Sequence, residues 1–143
     1  MSKFNFIGMV RSKFKEPIDP KEMRKEESTI VINPKYVEGL DGIAENDYLQ
    51  ILFYFHLSEG YELKGARSYG KPRGVFASRS SRRPSPIGVT TVELLERRDN
   101  ELVVKGLDAI DGTPILDIKP YTAIMDDAQK NIEEELKKNP KTT

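Results

Sequence analysis

Tyr48–Leu57 reads YLQILFYFHL, a ten-residue run that is aromatic-rich and almost continuously apolar. Such a run suits a β-strand buried on much of both faces, as in a closed or sandwiched sheet. Upstream, Phe4–Ser12 alternates loosely and predicts an opening strand. A polar loop, Lys13–Ser28, carries Pro17 and Pro20, and Thr29–Asn33 predicts a second strand stopped by Pro34. Downstream, Ser58–Arg73 contains Gly60, Gly65 and Gly70 and reads as a long loop, a length that compact domains keep for function or disorder. Gly74–Ser78 and Ile87–Leu95 predict strands on either side of an arginine-proline segment. Arg97–Asn100 is a polar turn into Glu101–Ala109, and Asp111-Gly112 is a hairpin signal leading into Pro114–Ile118. Six or seven short strands with helix only at the end make the chain all-β, a barrel or a sandwich. The last segment, Asp126–Lys138, places acids early and lysines late, with Ile132 and Leu136 on one face, and predicts a short terminal helix.

At 143 residues the chain is one domain's worth. The expected division is a barrel domain over residues 1–125 and a helix or tail over 126–143. Cysteine is absent and His56 is the only histidine, which removes disulfides, thiolate chemistry and zinc sites built on Cys or His. No acidic cluster has the spacing of a metal-binding loop, so no metal is expected. No run approaches the roughly 20 apolar residues of a membrane span, and Met1–Ile7 has no signal-peptide pattern, so the expected location is cytoplasmic.

Net charge is zero, but the charges are unevenly placed. Leu63–Val92 holds Lys64, Arg67, Lys71, Arg73, Arg79, Arg82 and Arg83 with no acid, so the rest of the chain is acidic in balance. Two readings stand: a face for phosphate or nucleic acid, and a solvated basic loop. Within it, Gly74–Gly88 reads GVFASRSSRRPSPIG. Pro84 and Pro86 bias Arg83 and Ser85 towards extended geometry, so the arginines sit on a stiffened arm suited to forking onto anionic oxygens. Leu107–Tyr121, LDAIDGTPILDIKPY, gathers Asp108, Asp111, Asp117, Lys119 and Tyr121. In an extended Pro114–Tyr121, Asp117, Lys119 and Tyr121 share one face, either a polar patch that does chemistry or an exposed strand face. His56, before the long loop, is a candidate catalyst or a hydrogen-bonded strand end. Dinucleotide-fold glycine motifs, a Walker A loop and βα alternation are all absent, which argues against a Rossmann-type site.

Together, GVFASRS..RP.PIG and GLDAIDGTPILDIKPY, in that order and separation, resemble the signature of the TrmO (YaeB/TsaA-like) methyltransferase family. The resemblance extends over FNFIGMVRS, the Pro20 loop and ILFYFH, about residues 4–122. It implies a small closed or nearly closed β-barrel that binds S-adenosyl-L-methionine, forms a homodimer and methylates threonylcarbamoyl-adenosine beside the tRNA anticodon. Carried over position by position, the cofactor site comprises Met23, Arg24 and Lys25, then His56 and Leu57, Arg79, Val89, and the turn Asp111, Gly112, Thr113 and Pro114. Asp117, Lys119 and Tyr121 are expected to orient or deprotonate the acceptor, and Lys71, Arg73, Arg82 and Arg83 to hold the tRNA backbone. The chain departs from the family pattern in the loop after Pro20, at Arg82 and Ser85 of the arm, and at Tyr48-Leu49-Gln50. These departures bear on the acceptor more than on the donor. The alternatives are a small-molecule acceptor and a non-catalytic RNA-binding barrel.

Overall fold

The computed structural model describes residues 3–65, 71–129 and 132–133. Strands β1 (Gly8–Arg11), β2 (Glu27–Ile32), β3 (Tyr48–Tyr54), β6 (Ile87–Arg98), β7 (Glu101–Lys105) and β8 (Pro114–Pro120) close into one antiparallel barrel in the order β1-β2-β7-β6-β3-β8. Closure is made by β8, which pairs with β3 on one side and with β1 on the other. A separate two-stranded ribbon, β4 (Lys64–Gly65) with β5 (Arg73–Gly74), lies within the segment read as a long loop. The all-β barrel is thus the fold, with few helical turns attached.

The decisive run forms its strand but ends at Tyr54, and its burial alternates. Leu49, Ile51 and Phe53 are buried in the barrel, while Tyr48, Gln50, Leu52 and Tyr54 lie on the outer wall. Burial on both faces was therefore the wrong expectation. A closed antiparallel barrel fills its interior from alternate positions, and aromatic outer-wall residues made the sequence look continuously buried. Val10, Ile30 and Ile32 come in from β1 and β2, Val92, Leu102 and Val104 from β6 and β7, and Ile115 from β8. Leu40, Leu107 and Ala109 extend this cluster from the connecting segments.

Two strands depart from plain alternation. β6 is long enough to pair with β3 through Ile87–Glu93 and with β7 through Glu93–Arg98, with a bulge between Leu94 and Glu96. In β8, Leu52 faces Asp117 but Phe53 faces Ile115, so Leu116 is bulged out of the ladder. The bulge lets both Ile115 and Ile118 reach the core, which regular alternation from Pro114 does not allow.

Other boundaries shift for local reasons. The opening strand is only Gly8–Arg11, and the second is Glu27–Ile32. The Pro20 loop contains a one-turn helix, α1 (Pro20–Met23), capped by the Asp19 carboxylate accepting from the Lys21 amide and anchored by buried Met23. The predicted strand Gly74–Ser78 is instead β5 followed by a 3-10 turn, Val75–Ala77. The Asp111-Gly112 turn exists, with Gly112 at φ 85°, but it does not join a hairpin, because β7 and β8 are not neighbours. The β6–β7 connection is the tight hairpin, turning through Asp99 and Asn100 with Asp99 at φ 56°. At the end of the chain, α2 (Ala123–Asp126) precedes the predicted helix Asp126–Lys138, most of which lies outside the described residues. No helix among the described residues is long and apolar enough to cross a membrane.

One close approach fixes the β1–β2 crossing. A Cβ on Gly8 would stand 2.3 Å from the Val31 carbonyl oxygen, a backbone atom that cannot swing away. Gly8→Ala is therefore expected to lower stability by about 3 kcal/mol, measured by urea unfolding. An unchanged midpoint would show that β1 slides without cost.

Candidate functional site

The barrel's β3 and β6 emerge at one end beside the arm that joins β5 to β6. The arm is laced to the segment following β3 through two of its carbonyls and one side chain. Phe55 N donates to Pro86 O at 2.8 Å, Ser58 Oγ to Ser81 O at 2.9 Å, and Arg82 Nε to Glu59 O at 3.1 Å. Arg83 Nη1 donates to the carbonyls of Ser78 and Ser80, both at 3.0 Å, and so closes the arm into a loop around a guanidinium. Val75 is buried and pins the start of the arm, leaving Phe76 on the rim.

Between this arm, α1 and the segment Leu107–Thr113 lies a cleft of about 1190 Å³. Its floor is aromatic. Phe53 and Phe55 meet edge to face with ring centroids 5.2 Å apart, packed so closely on Gly88 that a Cβ there would be 2.6 Å from the Phe53 ring. Ile18, Leu57 and Phe76 add exposed apolar lips, and Ser80 and Ser81 add hydroxyls. Three guanidinium groups, of Arg24, Arg79 and Arg83, line the cleft together with one carboxylate, Asp108. Arg79 is the least committed of them, reaching among the described residues only the Val89 carbonyl at 3.4 Å. Asp108 Oδ1 accepts from Thr90 Oγ1 at 2.5 Å, and its Oδ2 accepts from Arg24 Nη2 at 3.1 Å.

Of the residues singled out from sequence for the cofactor, Met23, Arg24, His56, Leu57, Arg79, Val89 and Thr113 line the cleft. Lys25, Asp111, Gly112 and Pro114 are not in its lining. Lys25 is exposed and pairs with Glu22 at 3.1 Å, and Pro114 stands opposite Met9 in the β1–β8 ladder. Asp111 ties the β1 exit to the turn, accepting from Ser12 N at 2.9 Å and from Lys15 Nζ at 2.8 Å. The Lys15 ammonium first, and the Ser12 amide second, hold its carboxyl below the usual carboxylate range.

Asp117, Lys119 and Tyr121 also lie outside the cleft lining. Asp117 pairs with Lys119 at 2.9 Å, and Tyr121 meets Tyr48 edge to face, with ring centroids 6.5 Å apart. Of the residues expected to hold a polyanion, Arg83 lines the cleft, Arg82 is exposed on the arm, Arg73 is in β5, and Lys71 is exposed before it. The basic residue Arg67 falls outside the described residues.

Thr90 and the two phenylalanines were not singled out from sequence, nor was Asp108 given a role in the site. A usable signal was present for Thr90, since Gly88, Thr90 and Val92 share one parity of β6, making Thr90 the polar side chain in an inward row.

Residues 7–127 match the family model of the tRNA-methyltransferase O N-terminal domain. The chain belongs to this family. Among its relatives, a protein of Methanothermobacter thermautotrophicus described as a probable S-adenosyl-L-methionine-binding protein is 44% identical, over 80% of this chain and 86% of that one. The tRNA (adenine(37)-N6)-methyltransferase of Escherichia coli is 38% identical, over 85% of this chain and 59% of that one. The crystal structure of TrmO from Pseudomonas aeruginosa superposes with a TM-score of 0.71 at 34% identity, covering 88% of this chain and 58% of that one. The chain therefore spans nearly all of a short archaeal family member and somewhat over half of the longer bacterial ones. The cleft is built from both segments that carry the resemblance in sequence, the arginine-proline arm and the Leu107–Thr113 corner.

Proposed function

We propose that this chain is an S-adenosylmethionine-dependent tRNA methyltransferase acting on N6 of the adenosine beside the anticodon, with the threonylcarbamoyl form of that adenosine as its acceptor. The observation that carries the reading is the convergence of the arm and the Leu107–Thr113 corner on one cleft whose groups complement the donor. An aromatic floor suits a purine, serine hydroxyls suit a ribose, Arg79 suits the methionine carboxylate, and Asp108 suits a cation. A volume of about 1190 Å³ exceeds the roughly 300–1,000 Å³ of ordinary small-molecule sites, leaving room for an acceptor beside the donor. When bound, S-adenosylmethionine would supply a methyl group on positively charged sulfur, the S–CH₃ bond breaking as the N–CH₃ bond forms and the electron pair staying on sulfur.

The protein's contribution is then chiefly position and a proton path. Phe53 and Phe55 exclude water from the floor, and Met23 fixes α1 as the side wall. His56 lines the cleft, is half-buried and has no hydrogen-bond partner among the described residues, which leaves its imidazole available to take the proton leaving the acceptor nitrogen. Lys71, Arg73 and Arg82, all exposed, and the partly buried Arg83 are assigned to tRNA phosphates.

Asp117, Lys119 and Tyr121 are assigned to orienting the acceptor across a homodimer. What supports the dimer is the outer wall they share with an aromatic row, in which Phe6 stacks on Tyr54 at 5.7 Å and Tyr48 and Met9 are about half exposed.

The test is incubation of tRNA and of the free modified nucleoside with the protein and isotopically labelled donor, followed by nucleoside mass spectrometry. Label on the threonylcarbamoyl-adenosine of tRNA is the expected result. Label on the free nucleoside alone would assign a small-molecule acceptor. Calorimetry showing no saturable donor site would leave a binding barrel without the reaction.

A further inference from the structure

Asp108 is the only carboxylate among the described residues lining the cleft, and it is held unequally from its two sides. Its neighbours in sequence, Leu107 and Ala109, are buried in the barrel core, and Thr90 of β6 donates to Oδ1, so the anion is fixed by the rigid part of the molecule. The cation opposite it is not. Arg24 follows the one-turn α1, its side chain is 51% exposed against 19% for Asp108, and its Nε and Nη2 both fall on a single oxygen at 3.3 and 3.1 Å. A guanidinium matched to a carboxylate forks onto both oxygens at about 2.7–2.9 Å. Here Thr90 already holds the second oxygen, and the ion pair is a long one-oxygen contact from the solvent side.

This is the geometry of a counter-ion that can be exchanged. We propose that Asp108 reads the positive charge of the methyl donor, with Arg24 as the cation that occupies it until the donor arrives and again after the methyl group has left. The inference rests on the donor-binding reading above and goes beyond it by naming the group that separates substrate from product. Methyl transfer leaves sulfur as a neutral thioether, so the product lacks the charge that competes with Arg24. Arg24 then returns to Asp108 and the product is bound less tightly than the donor. The other guanidiniums do not substitute in this exchange, because Arg83 is engaged by the arm's own carbonyls and Arg79 is assigned to the carboxylate of the donor.

Calorimetric titration of the full chain with S-adenosylmethionine and with S-adenosylhomocysteine tests it, using wild type, Asp108→Asn and Arg24→Met. Wild type is expected to prefer the charged donor by about tenfold, a fraction of the attraction between unit charges in contact at a protein surface. Asp108→Asn keeps the shape and the Thr90 contact, and should bring the ratio close to one by weakening the donor while leaving the neutral product within about twofold. Arg24→Met should widen the ratio, because the competitor is gone. An unchanged ratio in Asp108→Asn, or a narrowed one in Arg24→Met, overturns the assignment. The second variant keeps the question open to refutation should the first fail to fold by thermal melting. Wild type binding neither ligand would instead bring down the donor-site reading itself.

Discussion

Replacing His56 by Asn is expected to slow methyl transfer to tRNA by about a hundredfold, the usual worth of a positioned general base, while donor affinity shifts by less than about threefold. The side chain stands at the exit of β3, where Ser58 and the arm are hydrogen-bonded together, so the backbone around it is held independently of the imidazole. A structural role would show as a lower melting temperature and weaker donor binding, and a slower rate without either is the signature of lost proton transfer. Asp117→Asn is expected to fall by a similar factor for a different reason, since its carboxylate is proposed to meet the acceptor held by a second copy. Mixing the two impaired variants should then restore part of the activity through heterodimers that carry one intact site. No recovery on mixing would remove Asp117, Lys119 and Tyr121 from the acceptor's surroundings.

The second large effect is expected from salt. With Lys71, Arg73, Arg82 and Arg83 each on a phosphate, log affinity for tRNA should fall with log salt at a slope of about 3, so that raising salt from about 50 to about 200 mM weakens binding roughly 50-fold. Arg82 is the cleanest single test. It is exposed and spends one donor on the Glu59 carbonyl, and the Phe55–Pro86 and Ser58–Ser81 bonds still hold the arm when that one is lost, so Arg82→Gln should reduce the slope by about one while the arm keeps its place. Arg83 is a poor choice, because its truncation removes the group that closes the arm on itself. A slope that does not respond to Arg82 would point away from nucleic acid and towards a small anionic acceptor.

The barrel class was legible because six or seven short β-rich runs are separated by polar turn residues; the period-two inward rows, Leu49, Ile51 and Phe53, Leu102 and Val104, and Ile30 and Ile32, emerge only in the folded chain. Strand partners were not legible. The Asp111-Gly112 pair carries a hairpin's local chemistry, yet the Leu107–Thr113 segment joins β7 to β8, which are not neighbours in the barrel, and nothing within a few residues of the turn encodes that jump. The bulge at Leu116 is equally hidden, since the need for both Ile115 and Ile118 to reach the core appears only once the barrel has closed. At the site, the arm announced itself through charge and proline. The Asp108 contacts with Thr90 and Arg24 span sequence separations of 18 and 84 residues, and such pairings are set by the fold alone.

Closure of the barrel also bears on how such a protein changes over generations. With β8 joined to β1, each of the six barrel strands has a partner on both sides, and the chemistry is confined to segments strung between strand ends. Drift in those segments can retune which nucleoside is accepted without unpicking the scaffold, so paralogues sharing this frame should diverge first in the Pro20 connection and at arm positions such as Arg82 and Ser85, and only late in the staves themselves.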